Sequence, residues 1–396
     1  MNLQSLYSYF MLAIGYVFKL LPIKKNRICF NSFGGQYTDS PRKISEKLHE
    51  KLNNAEFIWE ISDKCRELPP DYVKCVKPQS LLSVFYRSTS HIIVDNYMGW
   101  SYGYAERGSA RYKILSHQKK KGQFNICTWH GTALKKIGLD QPENKGRNLS
   151  FYSTADLLTA NCVYMRNLYN HMSEGKVPIT MSGTPRNDIL FNVDDSTKVQ
   201  LKRKLKIPEE KKIILFAPTF RSGDLEMSGL YQLEKLDIDR LLSGLSRKFG
   251  GEWVFVFRAH DSVLLSMENQ RHKYSSDILS GNIGDDMSEY LAVSDVLLTD
   301  YSSSFFDFLF TGNPCFLYCP DYDHYGQVER GFYFTASELP YPTVTDEDTL
   351  YKEIDNYDTD KRKEIIESFL KKIGNVEDGS STEKIVKIIT DKLDTK

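Results

Sequence analysis

The chain reads as an α/β protein built from two doubly wound domains. Short apolar runs alternate with amphipathic segments from end to end, which is the strand–helix–strand rhythm of parallel sheets. At 396 residues the chain is also too long for one ordinary core. Several apolar runs, moreover, end in polar and charged clusters. Ligands in open α/β sheets bind at such carboxyl ends of strands. In the first half, strands are expected at 27–31, 57–61, 73–76, 91–94, 124–129 and 157–159. Helices are expected at 41–52, with Pro41 in its first turn, and at 162–172. The polar stretch 192–210 reads as a helix and linker. Alternation then restarts with strands at 213–217, 253–257, 295–299 and 314–318, and helices at 358–373 and 382–393 close the chain. Two domains joined near residue 200, with the active site expected in the cleft between them, are the simplest arrangement.

Composition narrows the class. Hydrophobic residues make up 41% and charged residues 26%, as in folded soluble proteins. The net charge of zero hides a division: residues 1–200 carry 27 basic and 17 acidic side chains, residues 201–396 carry 25 and 35. A basic first half suits a protein that handles anionic lipid or polyphosphate. No zinc finger, RNP motif or basic recognition helix is present, so nucleic acid is not the expected partner. The seven scattered cysteines form no C-x-x-C pair and read as small core residues in a reducing compartment.

At the N-terminus, Leu3, Leu6, Tyr7, Phe10, Met11, Ile14, Val17, Phe18 and Leu21 recur at helical spacing ahead of a basic collar at 24–27. No cleavage site follows, and Gln4, Ser5, Ser8 and Lys19 interrupt a stretch barely long enough to span a bilayer. An interfacial helix on an anionic membrane is the expectation, against the alternative of a helix packed on the protein's own core.

Four strand ends carry the chemistry. The segment 295–308 (DVLLTDYSSSFFDF) ends a strand in Asp300, Ser302 and Ser303 just before a helix, whose N–H groups and serine hydroxyls suit a phosphate. The segment 216–221 (FAPTFR) presents Thr219 and Arg221 after Pro218 stops a strand. The segment 255–261 (FVFRAHD) delivers Arg258 and His260 side by side. The segment 127–136 (CTWHGTALKK) delivers His130, with Gly131 permitting a tight turn or a close backbone approach, then Thr132 and Lys135. A neutral imidazole at a strand end can take a proton from an attacking hydroxyl, although it can equally be a satisfied structural histidine. The turn-rich Ser182–Asp188 block (SGTPRND) reads as a plain connection. No Asp-x-Asp motif stands at a suitable strand end, so no protein-ligated metal or other cofactor is expected, while Mg²⁺ can arrive with the substrate.

In this order and spacing, WHGTALKKIG, SGTPRNDIL, ILFAPTFR, FRAHD, DVLLTDYSSSFFDF and ERGFYF resemble the CDP-glycerol glycerophosphotransferase family of bacterial teichoic acid and capsule synthesis. The early FNSFGGQY with Ser40-Pro41-Arg42 and the late EDGSSTE are similar to that family's opening and closing elements, so the resemblance covers about residues 27–390. It implies a GT-B-type fold of two Rossmann-like domains: an acceptor-side domain at 27–200 and a CDP-alcohol-binding domain at 201–375. Residues 1–26 then form the membrane-associating helix, and a helix at 376–396 can cross back to the first domain. The implied reaction moves a polyol phosphate from a CDP-alcohol, CDP-glycerol first, to a hydroxyl of an undecaprenyl-linked glycan, releasing CMP at the cytoplasmic membrane face. By motif match His130 and His260 are the catalytic imidazoles. Thr219, Arg221, Arg258, Asp300, Ser302 and Ser303 handle the donor's phosphates and nucleotide, and Gly131, Thr132 and Lys135 lie on the acceptor side. Ala133 and Asp261 stand where the family usually has proline, and 339–342 reads LPYP for its P-G-P, which bears on selectivity. The short stretch ahead of the first motif suggests a primase-like or capsule-type member. A CDP-ribitol donor, a GT-B glycosyltransferase using a nucleotide sugar, and a non-catalytic scaffold remain as alternatives.

Overall fold

The computed structural model describes residues 10, 13–97, 120–141, 155–219, 229–259, 278–284, 286–322 and 331–394. The chain divides into two compact units. The first comprises Met1–His130, Glu143–Asp188 and Gly374–Lys396, the second Gly131–Pro142 and Ile189–Ile373.

The first unit holds a seven-stranded, fully parallel sheet of order β3-β2-β1-β4-β5-β6-β7. Its strands are β1 (Lys24–Asn31), β2 (Glu56–Glu60), β3 (Val73–Val76), β4 (Ser90–Asp95), β5 (Phe124–Cys127), β6 (Leu157–Ala160) and β7 (Ile179–Met181). The order reverses between β1 and β4, paired from Ile28↔Ile92 to Asn31↔Asp95. That reversal is the switch point at which doubly wound sheets open a crevice. The last five residues of β1 are all buried, because a central parallel strand is covered on both faces. Helix α1 (Asp39–Lys51) turns Ile44 and Leu48 onto the sheet, and α2 (Leu81–Thr89) turns Tyr86 onto its other core. Helix α3 (Val163–Met172) follows β6.

The second unit repeats the plan with a six-stranded parallel sheet of order β10-β9-β8-β11-β12-β13. It uses β8 (Lys212–Ala217), β9 (Trp253–Phe257), β10 (Ile278–Ser280), β11 (Val296–Thr299), β12 (Cys315–Tyr318) and β13 (Thr343–Val344). The switch falls between β8 and β11, paired from Val296↔Ile214 to Thr299↔Ala217. Phe216, Phe255, Phe257, Leu298 and Phe316 form the core with Leu241 and Leu245 of helix α4 (Ile238–Phe249). The edge strands β10 and β13 are too short to be seen as apolar runs. The helices Glu347–Asp355 and Thr359–Ile373 complete this unit.

The closing helix α5 (Ser381–Asp394) packs in the first unit, where Ile385, Val386 and Ile389 join Ile44 and Leu48 in one apolar core. Five cysteines are buried as expected of core residues, whereas Cys65 is half-buried and Cys75 exposed; none of the seven forms a disulfide. At the N-terminus residues 13–18 are helical. Phe18 packs edge-on against Phe85 at 5.6 Å, so this member of the expected membrane stripe lies on the protein itself. Phe10, Tyr16, Val17 and Leu20 are exposed. Met11 and residues 1–9 lie outside the described residues. Among those described, no helix is long and apolar enough to cross a membrane.

Candidate functional site

The strand expected over 124–129 stops at Cys127. Thr128 N–H still donates to the Asp95 carbonyl at 2.8 Å, but Trp129 then takes φ 55°, a left-handed conformation that is costly for a bulky residue. That turn brings the His130 imidazole onto the loop that follows β4. Its Nδ1 lies 2.8 Å from the Asn96 carbonyl oxygen. A carbonyl can only accept, so in the neutral ring Nδ1 carries the proton and Nε2 is left as the basic nitrogen. Trp129 and Tyr97 stack on the imidazole at 4.4 and 5.2 Å, and Phe33 meets it edge-on at 5.7 Å. These surroundings strip water from the ring, and desolvation is the main reason its pKa falls below the ordinary value; nearby Arg186 pushes the same way. The Asn96 carbonyl and Asp39 oppose it. The result is an imidazole held neutral in one tautomer.

Asn96 anchors more than the histidine. Fully buried, it donates from Nδ2 to Ser32 Oγ at 3.0 Å and accepts Phe33 N–H at Oδ1 at 3.1 Å. Asn31, at the end of β1, accepts Gly34 N–H at 3.2 Å and donates to buried Glu60. Two amides at the switch point thus pin the loop after β1, where Phe33, Gly34 and Gly35 take φ of 44°, 74° and 127°. A Cβ at Gly35 would lie 2.8 Å from Ser62 N, which explains glycine there. Beyond the loop, Arg186 Nη1 pairs with Asp39 Oδ2 at 2.6 Å, both side chains buried. None of Asn31, Asn96, Asp39 or Arg186 was picked out from sequence. Asn96 was within reach of the strand-end rule, since it directly follows β4. The Asp39–Arg186 pair was not, because its members lie far apart in the chain.

The Ser182–Asp188 block, expected to be a plain connection, is clasped to the closing segment. Glu377 accepts from Thr184 N–H at 3.0 Å, Asn187 Nδ2 at 3.2 Å and Ser381 Oγ at 3.1 Å. The two oxygens of Asp188 accept Ser381 N–H and Thr382 N–H at 2.9 and 2.7 Å, placing a carboxylate on the N-terminus of α5. Gly183 has φ 85°, and a Cβ there would lie 2.2 Å from Ser381 Oγ. These bonds join the two motifs within the first unit.

In the second unit Asp300 is fully buried at the end of β11 and accepts Thr219 N–H at 2.8 Å and Gln232 Nε2 at 3.4 Å. The adjacent ends of β8 and β11 are therefore tied by one carboxylate. Ser302 Oγ accepts Ser304 N–H at 3.3 Å and Ser304 Oγ–H at 3.0 Å. The helix expected after the serines is a single turn, Ser304–Phe308, and Ser303 makes no side-chain cap. Arg258 Nη1 points at the carbonyls of Gly281 (2.5 Å) and Gly284 (3.0 Å), and its guanidinium lies over the Tyr290 ring at 4.7 Å. His260 and Arg221 lie outside the described residues.

Gly131, Thr132 and Lys135 belong to the second unit, with the segment Gly131–Pro142. Lys135 bridges Phe332, Lys136 N–H donates to Gly331 O at 3.0 Å, and Tyr333 N–H donates to Leu134 O at 2.9 Å. Tyr333 OH also donates to Asp140 at 2.6 Å. The stretch after His130 and residues 331–333 are thereby one paired element. Thr132 is buried in it, while Lys135 is half-buried. Among the described residues no group of three or more His, Cys, Asp or Glu could hold a metal ion.

Two parallel doubly wound sheets, one ending in a tautomer-locked imidazole and the other in a carboxylate–hydroxyl tip, place the chain in the GT-B-type class of α/β proteins. It belongs to the CDP-glycerol:poly(glycerophosphate) glycerophosphotransferase family, whose model matches residues 14–391. It is 30% identical to the teichoic acid poly(glycerol phosphate) polymerase of Staphylococcus epidermidis over 93% of this chain and 51% of that protein. It is 31% identical to the teichoic acid glycerol-phosphate transferase of Staphylococcus aureus, covering 94% of this chain and 95% of the relative. The chain thus spans about half the length of the first relative and nearly all of the second. The solved wall teichoic acid polymerase TagF, as a histidine-to-alanine variant, matches with a TM-score of 0.79 at 26% identity over 99% of both chains. The same polymerase as a histidine-to-asparagine variant soaked with CDPG matches at 0.76 and 27% identity, over 97% of this chain and 94% of that one.

Proposed function

We propose that this protein transfers glycerol phosphate from CDP-glycerol to a hydroxyl of a lipid-linked glycan acceptor in teichoic acid or capsule-type polymer synthesis. The observation that carries the reading is the His130 imidazole, held neutral with Nδ1 on the Asn96 carbonyl and Nε2 as its basic atom. The acceptor oxygen bonds to the glycerol-bearing phosphorus, the hydroxyl proton passes to Nε2, and the P–O bond to CMP breaks, CMP leaving with the electron pair. Little covalent chemistry is asked of the protein, so positioning and charge neutralisation supply most of the catalysis. Those roles fall to His260, Arg221, Arg258, Ser302 and Ser303 around the phosphates. Asp300 holds Thr219, and Gly131, Thr132 and Lys135 serve the acceptor side. No protein-held metal takes part in this scheme; a Mg²⁺ that accompanies the pyrophosphate is part of the substrate. Glycerol is preferred to ribitol because the matching family model is that of a glycerophosphotransferase and the relative at 31% identity is a glycerol-phosphate transferase. A ribitol-phosphate primase of Bacillus spizizenii is 30% identical, so the CDP-ribitol arm of the assay below decides between the two.

Radiolabelled CDP-glycerol, CDP-ribitol and a UDP-sugar, each offered with an undecaprenyl-linked disaccharide, test the reading. Label is expected to reach the lipid from CDP-glycerol with release of CMP. Transfer only from the UDP-sugar would refute it. The acceptor places the enzyme on the cytoplasmic face of the membrane, and the exposed Phe10, Tyr16, Val17 and Leu20 with the nearby basic residues are the proposed contact. Deleting residues 1–22 should move the protein off anionic liposomes in co-sedimentation. Equal pelleting of both forms would place the contact elsewhere.

A further inference from the structure

Phe33 is held in a conformation that its size makes costly. Its φ of 44° lies in the left-handed region, where a bulky side chain is an outlier and glycine would be free of strain. Core burial does not explain the residue, because Phe33 is 39% exposed. Its backbone is over-determined instead: the N–H donates to Asn96 Oδ1, and the next N–H, at Gly34, donates to Asn31 Oδ1. The side chain so presented meets the His130 ring edge-on at 5.7 Å, while Tyr97 lies along the same imidazole at 5.2 Å. Strain kept by dedicated hydrogen bonds around an exposed aromatic, one ring away from a base, is the pattern expected of a binding residue.

The loop is not an anion cradle. The N–H groups of residues 33 to 36 all donate within the protein, to Asn96, Asn31 and the Ser32 carbonyl. What Phe33 offers a ligand is an apolar aromatic face. Beside a base that takes a hydroxyl proton, the ligand group needing such a face is the ring that bears or adjoins that hydroxyl.

We propose that Phe33, with Tyr97, forms an aromatic platform that receives a pyranose ring of the acceptor through its C–H face and so brings the hydroxyl to His130 Nε2. This inference rests on the acceptor-base reading of His130 and adds the chemical class recognised beside it. It makes Phe33 a specificity-determining residue for ring-bearing acceptors, as distinct from open-chain polyol phosphates, which have no such face.

Two acceptors and three variants test it. The acceptors are a short-chain prenyl-linked disaccharide and the same lipid ending in glycerol phosphate, with CDP-glycerol as donor. Phe33→Ala is expected to raise KM for the disaccharide about tenfold, leaving KM for CDP-glycerol and for the glycerol-phosphate acceptor within about twofold. Phe33→Tyr should restore the disaccharide KM. Phe33→Gly should lose it while keeping a Tm at or above that of the unaltered protein, since the backbone strain is relieved. An unchanged disaccharide KM, equal losses on both acceptors, or a shift in the CDP-glycerol KM alone would overturn the platform. Calorimetric titration of the disaccharide lipid without donor separates this inference from the proposed reaction. If the unaltered protein transfers nothing from CDP-glycerol, the reaction fails. Weaker disaccharide binding by Phe33→Ala would still establish the platform, and equal binding would dismiss it.

Discussion

The two switch points, β1/β4 in the first unit and β8/β11 in the second, share one topology and are furnished differently. At the first, amides and aromatics surround a neutral imidazole with the buried Asp39–Arg186 ion pair nearby, and the backbone N–H groups of residues 33 to 36 donate to protein acceptors. At the second, a buried carboxylate ties the two strand tips and serine hydroxyls follow it. The first environment lowers the proton affinity of a base by desolvation; the second holds short polar side chains at strand ends, where a charged ligand is expected. The same strand order therefore carries two differently furnished sets of strand ends. The difference lies wholly in the few residues after each strand, since the cores beneath are both continuous apolar runs.

The largest expected effect belongs to the first switch point. His130→Ala should lower kcat by about 10²–10⁴-fold while CDP-glycerol affinity, read by calorimetry, stays within a few-fold. A variant with normal turnover would remove the distinction between the units. The same ring predicts a pH signature. Its folded pKa lies below the ordinary value of about 6.5. The acid limb of kcat/KM should accordingly fall below pH ~6.5, and an acid limb above it would contradict the desolvated setting. The stability consequence has a definite sign. Below pH ~6.5 the unfolded chain binds a proton that the folded ring resists, so this group lowers stability as pH falls and contributes nothing above that range.

A smaller effect is expected at the second switch point. Asp300→Ala removes the acceptor of Thr219 N–H in a buried place, at a cost of about 1–3 kcal/mol in stability. It should also weaken CDP-glycerol binding by loosening the β8 tip. Asp300→Asn keeps an oxygen for Thr219 and should recover most of the stability in thermal unfolding. If Asn and Ala behaved alike, the negative charge and not the hydrogen bond would be what matters there.

Much of this was open to reading from the residues. Strands such as Ile213–Ala217 and Trp253–Phe257 were legible because a parallel strand covered on both faces must be a continuous apolar run. The short edge strands Ile278–Ser280 and Thr343–Val344 were not, since a few half-covered residues carry no period. His130 was legible as a histidine at a strand end, and Asp300 and Ser302 likewise.

Chain order alone determined the two α/β units, the list of strand tips and the family likeness carried by their motifs. Only the tertiary structure decided which nitrogen of His130 is basic, because that depends on the Asn96 carbonyl, 34 residues away in the chain. It also turned Ser182–Asp188 from a connection into a clasp, through Glu377 and the N-terminus of α5. The motif after His130 likewise became half of a pair with 331–333. The physical reason is common to all three. Local sequence sets propensity and burial over a few residues, whereas a hydrogen-bond partner is supplied by whatever the packed sheets bring within 3 Å.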